Sequence, residues 1–230
     1  MIKNLLKILA KLYLKERYYN LDRQSFPSFS QMGEDMIIRK IFENKKNGLY
    51  VDVGAYNPKQ YSNTYYFYIN GWKGLNIDAM PGSMASFSKL RPRDINIESA
   101  ISNKNERKTY YVFDQLALNT FSLKTALKIE KETAYRIKKR VKINTQTLEE
   151  VLDKYLPKNI VIDFMTIDTE SMDYLVLLSN NWKKYLPKVI IVEDGNFSFE
   201  NFSKSKIYQL LLEKGYNLIA KTDVSLIFIH

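Results

Sequence analysis

Four acids stand where apolar runs end: Asp52 after Leu49-Tyr50-Val51, Asp78 after Leu75-Asn76-Ile77, Asp168 after Phe164-Met165-Thr166-Ile167, and Glu193 after Val189-Ile190-Ile191-Val192. A short apolar run closed by an acid and a turn reads as a buried strand that delivers its end to a loop. In an open α/β sheet, ligands gather at the carboxyl ends of the strands, so these acids are expected to converge on one crevice. Gly54, two residues past Asp52, lets a ligand approach the backbone closely, and the helix start that follows presents unpaired N–H groups. Asp78 follows Asp52 at the spacing of a carboxylate that grips ribose hydroxyls. The two strand ends together predict an adenosine pocket. Asp168, Glu193 and Asp194 form a second grouping, whose hard oxygen ligands suit Mg²⁺. In the plainer reading, Glu170 and Asp194 cap helices or turns.

The elements that must position these acids alternate from Leu49 onward, as a βαβ series requires. The first half offers strands at 49–53, 74–78 and 95–99, with helices near 61–70 and 82–90. Pro81 is well placed to start the second of these helices. Residues 107–113 alternate like an extra strand, 114–120 read as a loop, and a strongly basic helix is expected from Leu123 to Lys139. Its face suits solvation, or docking of phosphate or acidic glycan. The second half is read as a strand at 141–145, a helix at 148–155, a strand at 160–168, a helix at 171–180 and a strand at 189–192. A helix at 204–214 stops at Gly215, a favoured cap residue, and 216–221 with 224–229 form a closing antiparallel hairpin. Upstream, Ser30 is expected to cap a helix running to Phe42, with Gln31 and Asp35 one turn apart facing the sheet edge or solvent.

The chain has 230 residues and 45% hydrophobic composition, enough for one α/β domain with a sizeable core, here assigned to 26–230. Residues 1–25 are read as an N-terminal helix and linker, because Lys3, Lys7, Lys11 and Lys15 recur four apart among leucines and isoleucines. Those lysines interrupt any apolar run long enough for a membrane span or a signal-peptide core. Residues 1–19 suit either an anionic membrane surface or packing on the domain or on a second subunit of a homo-oligomer. The net charge of +10 implies an anionic neighbour of some kind, nucleic acid included. With no cysteine and a single histidine, His230, the chain has neither disulfides nor thiolate or histidine-rich metal sites.

Several ordered segments together resemble the FkbM family of S-adenosylmethionine-dependent methyltransferases: Ser30-Gln31-Met32-Gly33-Glu34-Asp35, Asp52-Val53-Gly54-Ala55, Ser62-Asn63-Thr64, Gly71-Trp72-Lys73-Gly74 and Asn76-Ile77-Asp78. The resemblance continues through Arg91-Pro92, Ile167-Asp168-Thr169-Glu170, Pro187-Lys188-Val189 and Val192-Glu193. It implies a Rossmann-like class I methyltransferase fold with a mostly parallel, doubly wound sheet and a C-terminal antiparallel hairpin. It places Asp52 and Gly54 at the methionine part of the cofactor and Asp78 at the ribose. Asn63, Ser99 and Ala100 are further cofactor candidates, and Gln31 closes over the carboxylate. Asp168 and Glu170 become the catalytic pair beside the reactive methyl, one of them a general base that needs burial or a metal to be strong enough. The implied acceptor is a hydroxyl of a bacterial surface glycan or its lipid- or nucleotide-linked precursor, reached in the cytoplasm or at the inner face of the membrane. Tyr56, Tyr61, Trp72 and Phe121 are candidate sugar platforms, although a core role is the commoner use of such residues. Nucleic acid is the weaker acceptor class, since Asn-Pro-Pro-Tyr target motifs are absent. A non-catalytic scaffold would have little use for the retained acids. Two positions depart from the pattern, Ser171 where the motif continues with glycine and Ser225 where the hairpin commonly has asparagine.

Overall fold

The computed structural model describes residues 26–230, so the expected N-terminal helix lies outside the described residues. The chain order is α1 (Glu34–Ile41), β1 (Leu49–Val53), α2 (Tyr65–Ile69), β2 (Lys73–Asp78), α3 (Met84–Leu90), β3 (Ile95–Glu98), β4 (Ala100–Ile101) and β5 (Arg107–Phe113). After a 3-10 turn at Leu116–Leu118 come α4 (Leu123–Glu132), β6 (Ile137–Gln146), α5 (Leu148–Tyr155), β7 (Phe164–Ile167), α6 (Asp173–Leu178) and β8 (Val189–Glu193). A second 3-10 turn, Phe202–Lys204, precedes α7 (Lys206–Glu213), β9 (Asn217–Lys221) and β10 (Ser225–Ile229).

Seven strands form one sheet in the order β3-β2-β1-β7-β8-β10-β9. The first five are mutually parallel, and β10 runs antiparallel to both β8 and β9. Strand order reverses between β1 and β7, and a crevice opens at such a switch point. Alternation along the strands fixes which helices cover which face. Val51 and Val53 join Leu148, Val151 and Leu152 of α5, Val176 and Leu177 of α6 and Leu211 of α7. Tyr50 and Phe164 face the other way, against Ile38 of α1, Phe67 of α2 and Trp72. Trp72 is thereby a core residue, 2% exposed, and not a sugar platform.

The remaining strands form a separate three-stranded sheet, β4-β6-β5. This corrects the expected second half, for 141–145 does not enter the main sheet. It belongs to the long strand β6, antiparallel to β5 and briefly parallel to β4. The predicted helix to Lys139 is shortened for the same reason. Residues from Ile137 on are taken by the ladder to β5, and Ile137 packs beside Tyr111 and Phe113. Strand β7 starts later than the expected 160, because the Asp163 carboxylate pairs with Lys45 and accepts the Leu49 N–H at 2.9 Å. Helix α1 is entered from Gly33, whose φ is 85°, and the Ser30 hydroxyl instead accepts the Asp35 N–H from outside the helix. Asp35 is fully buried, receiving the hydroxyls of Ser28 and Ser30, the Phe29 N–H and the Arg39 guanidinium, so it faces neither the sheet edge nor solvent. Among the described residues, no helix is long and apolar enough to cross a membrane.

Candidate active site

Strands β1 and β7 are hydrogen-bonded neighbours, and their carboxyl ends carry the two loops on which the site is built. The Asp168 N–H donates to the Val53 carbonyl at 2.9 Å, while Gly54 and Ala55 N–H both reach the Ile77 carbonyl at the end of β2. Gly54 has φ 86°, and a Cβ there would lie 1.7 Å from the Asp168 carbonyl oxygen. Glycine is thus required by the approach of one loop's backbone to the other, before any ligand is considered.

A cavity of about 400 Å³ opens over these strand ends. That lies within the range of small-molecule sites, roughly 300–1,000 Å³. Of the sequence-predicted residues, Gln31, Gly54, Asp78, Ser99, Asp168 and Glu170 line it. Tyr56, Tyr61 and Phe121 line it as well, with the rings of Tyr56 and Tyr61 nearly parallel at 6.5 Å between centroids. Asp78 accepts the backbone N–H groups of Tyr56 and Met80 at 2.9 and 2.8 Å, which holds both loops around its carboxylate. Burial pushes its pKa up, and those two donors pull it back.

Asp52, Asn63 and Ala100 are placed behind the wall. Asp52 points to the face that carries Tyr50 and accepts the Thr64 hydroxyl at 2.6 Å. Burial pushes its pKa up to about 6, against the Thr64 hydrogen bond and the Arg91 charge. Asn63 donates to the Thr166 hydroxyl on β7, and Ala100 is fully buried. The group that organises this layer is Arg91, whose side chain has no exposed surface. Its fork donates to the Pro58 carbonyl, the Ser62 hydroxyl and the Thr64 hydroxyl, each at 2.7 Å. Asp94, 3.9 Å from it, also receives the Tyr50 hydroxyl, the Gly74 N–H and the Asn76 amide. The loop after β1 is therefore shaped from beneath by a buried, fully engaged guanidinium.

At the opposite end of the cavity, Asp168, Glu170 and Glu193 each bring a carboxylate oxygen within 4.8 Å of the others. Asp194 is not among them. It accepts the Ser205 hydroxyl at 2.5 Å and the Asn196 N–H at 3.1 Å, in the turn after β8. Asp168 is exposed to the open cavity while protein atoms crowd around it on its other sides. Burial and then the charge of Glu193 hold its pKa well above the ordinary carboxylate range. Glu170 is pushed up to about 8 by burial and then by Asp168. Glu193 rises to about 7 through burial and the charge of Glu170. Asp173 rises to about 7 through burial and Asp168, although the Thr169 N–H and hydroxyl bind its carboxylate. Carboxyl groups that titrate near neutrality are effective proton acceptors there.

The loop that presents Glu170 is strained. Glu170 has φ 50° and Ser171 φ 86°, both in the left-handed region that favours glycine. Ser171 thus keeps the backbone shape for which the family pattern has glycine. The loop is pinned by Thr120, whose hydroxyl donates to the Glu170 carbonyl at 2.8 Å, and by Thr125, whose hydroxyl lies 3.2 Å from that of Ser171.

Sequence reasoning missed Tyr110 and Asn119, which complete the wall beyond Phe121. Tyr110 was legible only as one position of an alternating strand. Asn119 carries no local signal, for its role is to accept the Phe113 N–H from across the loop.

A parallel sheet that reverses at β1 and β7, a glycine turn after β1, an acid ending β2 and an antiparallel β10 together define the class I methyltransferase fold. The Methyltransferase FkbM domain matches residues 52–218, well over half of the chain. The chain belongs to the FkbM methyltransferase family. No curated protein matches the sequence. Among solved structures, the chain is similar to a TehB-like SAM-dependent methyltransferase from Corynebacterium glutamicum (11% identity, 97% of this chain and 96% of that one, TM-score 0.40). It is also similar to a precorrin-6y C5,15-methyltransferase from Geobacter metallireducens (12%, 85% and 86%, 0.41). A third is an O-methyltransferase from Bacillus cereus in complex with SAH (12%, 96% and 88%, 0.38).

The residues present fit the cofactor. The Ser99 hydroxyl is buried without a partner among the described residues, and Ser99 lines the cavity with Asp78. An orphaned hydroxyl beside an acid is what a nucleoside would satisfy. Asp78 is suited to the ribose and the loop at Gly54 to the methionine portion.

Proposed function

We propose that this chain is an O-methyltransferase whose acceptor is a sugar hydroxyl of a bacterial surface polysaccharide, or of its lipid- or nucleotide-linked precursor. When bound, S-adenosylmethionine supplies an electrophilic methyl group on a sulfonium, which is already a good leaving group. The protein's part is to align the acceptor oxygen and take its proton. The observation that carries the reading is the triad Asp168, Glu170 and Glu193, with Glu170 raised to about 8. An ordinary carboxylate is a feeble base towards an alcohol, and this one is strengthened. The same oxygens suit Mg²⁺, which would lower the hydroxyl's pKa in place of a strong base. The sugar class follows from the family, and the aromatic wall of Tyr56, Tyr61 and Phe121 supports it. The reading includes a cytoplasmic location, with residues 1–19 as a peripheral contact at the inner face of the membrane.

The test is methyl transfer from labelled S-adenosylmethionine to nucleotide sugars, lipid-linked saccharides and RNA, with Mg²⁺ and with chelator. Transfer to a sugar hydroxyl that Glu170→Gln abolishes supports the reading. Transfer to RNA alone, or cofactor binding with no transfer to any sugar, overturns it in favour of a nucleic-acid enzyme or a scaffold.

A further inference from the structure

Helix α4 and strand β6 concentrate the charge of the molecule. Residues 123–142 hold eight Lys or Arg against two Glu, a net +6 within a chain of +10. All eight basic side chains are exposed. Lys128 lies 3.9 Å from Glu132 and Lys138 lies 3.7 Å from Asp114. Among the described residues, Lys124, Lys131, Lys139 and Arg140 enter no ion pair.

The orientation of α4 is set by Ala126 and Ile129, which pack against Tyr111 and Phe113 of β5. At about 100° per residue, Leu123, Leu127, Lys131, Lys124 and Lys128 then succeed one another around the side away from the domain. The two leucines are 51% and 52% exposed. Arg140 and Lys142 stand directly opposite Tyr111 and Thr109 in the ladder, so they project from the face of the ribbon on which α4 lies. An apolar stripe flanked by lysines, with more basic residues beside it, is the surface of an interfacial amphipathic element. A nucleic acid would match the charge and leave both leucines in water. A bilayer with anionic headgroups accommodates both.

We propose that the α4–β6 face docks on an anionic lipid bilayer. The docked element is joined to the active site through the Thr120 and Thr125 contacts to the loop of Glu170 and Ser171. Leu116, 42% exposed, lines the cavity just before α4. Docking therefore sets the cavity mouth at the bilayer surface, where the head of a lipid-linked sugar lies. That consequence for the acceptor rests on the proposed function; the surface itself does not.

The experiment is co-sedimentation of the full chain with vesicles of phosphatidylcholine, alone or mixed with phosphatidylglycerol. Binding is expected to the mixed vesicles only and to fall with salt. Leu123→Gln/Leu127→Gln and Lys124→Gln/Lys128→Gln are each expected to weaken it by about tenfold, while S-adenosylhomocysteine binding stays at the wild-type value and shows that the fold is intact. A parallel variant, Lys3→Gln/Lys7→Gln/Lys11→Gln, separates this face from the N-terminus. If that variant alone abolishes vesicle binding and the α4 variants change nothing, the proposal is overturned. It is equally overturned if the chain ignores anionic vesicles and binds RNA with an affinity that the leucine variant leaves unchanged. Vesicle binding through α4 without sugar methylation upholds this surface and overturns the sugar acceptor instead.

Discussion

Gly54 and Asp168 meet backbone to side-chain space: the position a Cβ on Gly54 would occupy lies 1.7 Å from the Asp168 carbonyl oxygen. One contact thereby sets the distance between the loop suited to the cofactor and the loop that carries the acids. Gly54→Ala must shift a backbone carbonyl and also hold a positive φ. It is expected to cost about 3 kcal/mol of stability and to remove S-adenosylhomocysteine binding. Thermal unfolding and calorimetric titration check both, and a variant that binds normally would show that the loops can part without harm.

Ser171→Gly should act in the opposite direction. The native φ of 86° strains a side-chain-bearing residue, and glycine relieves it, for a gain of roughly 0.5–1 kcal/mol after its greater unfolded entropy. That raises the unfolding temperature by about 1–4 °C in a domain of this size. Ser171→Ala keeps the strain and loses the Thr125 contact, so it should not stabilise, which separates backbone from hydroxyl.

Asp78→Ala should weaken S-adenosylhomocysteine by about tenfold or more, since it removes a charged acceptor from the cavity wall and releases the Tyr56 and Met80 N–H groups. Asp78→Asn retains the size and one acceptor oxygen and should fall between the two. An unchanged titration in Asp78→Ala would separate Asp78 from the ligand.

The acid cluster makes stability depend on pH in a stated direction. Glu170 is raised from 4.5 to about 8 in the folded protein, so the folded state keeps a proton that the unfolded chain has lost. Its stabilising contribution is present in full below the ordinary value, declines above it and is gone once the pH passes the folded one. Denaturant midpoints should fall between about pH 4.5 and about pH 8, and Glu170→Gln should flatten that fall. Activity should move the other way, rising as the pH nears and passes about 8 and the base loses its proton, and Glu170→Gln should lower kcat by about 100-fold or more. Equal pH slopes in the two proteins would deny Glu170 a share.

Arg91→Met should be the most damaging single change in the core. It leaves Asp94 buried without its cation and frees the loop that carries Ser62 and Thr64, at an expected cost of about 3–5 kcal/mol. Chemical denaturation measures it, and a loss under about 1 kcal/mol would mean that Asp94 takes up a proton cheaply.

The main sheet was legible because β1, β2, β7, β8 and β10 are buried apolar runs of the right length with an acid or a turn beside them, while the edge strands β3 and β9 are more exposed. Asp78 and Asp168 could be placed at strand ends by that logic alone. The β4-β6-β5 sheet was legible only in pieces: 107–113 and 141–145 read as strands, but 137–139 read as the end of a helix, because the lysines and arginines of 124–142 recur at a spacing a helix also allows. Only the pairing of Ile137 and its neighbours with β5, a tertiary fact, decides for a strand there and for a separate sheet. Glu170 was recognised through its motif, but its proximity to Glu193 depends on β7 and β8 being neighbours. Asp194, adjacent in sequence to Glu193, points elsewhere because the strand ends between them. Arg91 showed only as part of a motif, since nothing local distinguishes a buried arginine from a solvated one.

Strand β10 follows β9 in the chain but lies inside it in the sheet, between β8 and β9, with Leu226, Ile227 and Phe228 fully buried. During synthesis the rest of the sheet emerges first, and for that interval β8 has one unsatisfied edge and β9 has no neighbour at all. A message truncated before Ser225 would therefore yield neither a smaller enzyme nor a weaker one, but a nascent chain with an open apolar slot that chaperones or proteases must handle.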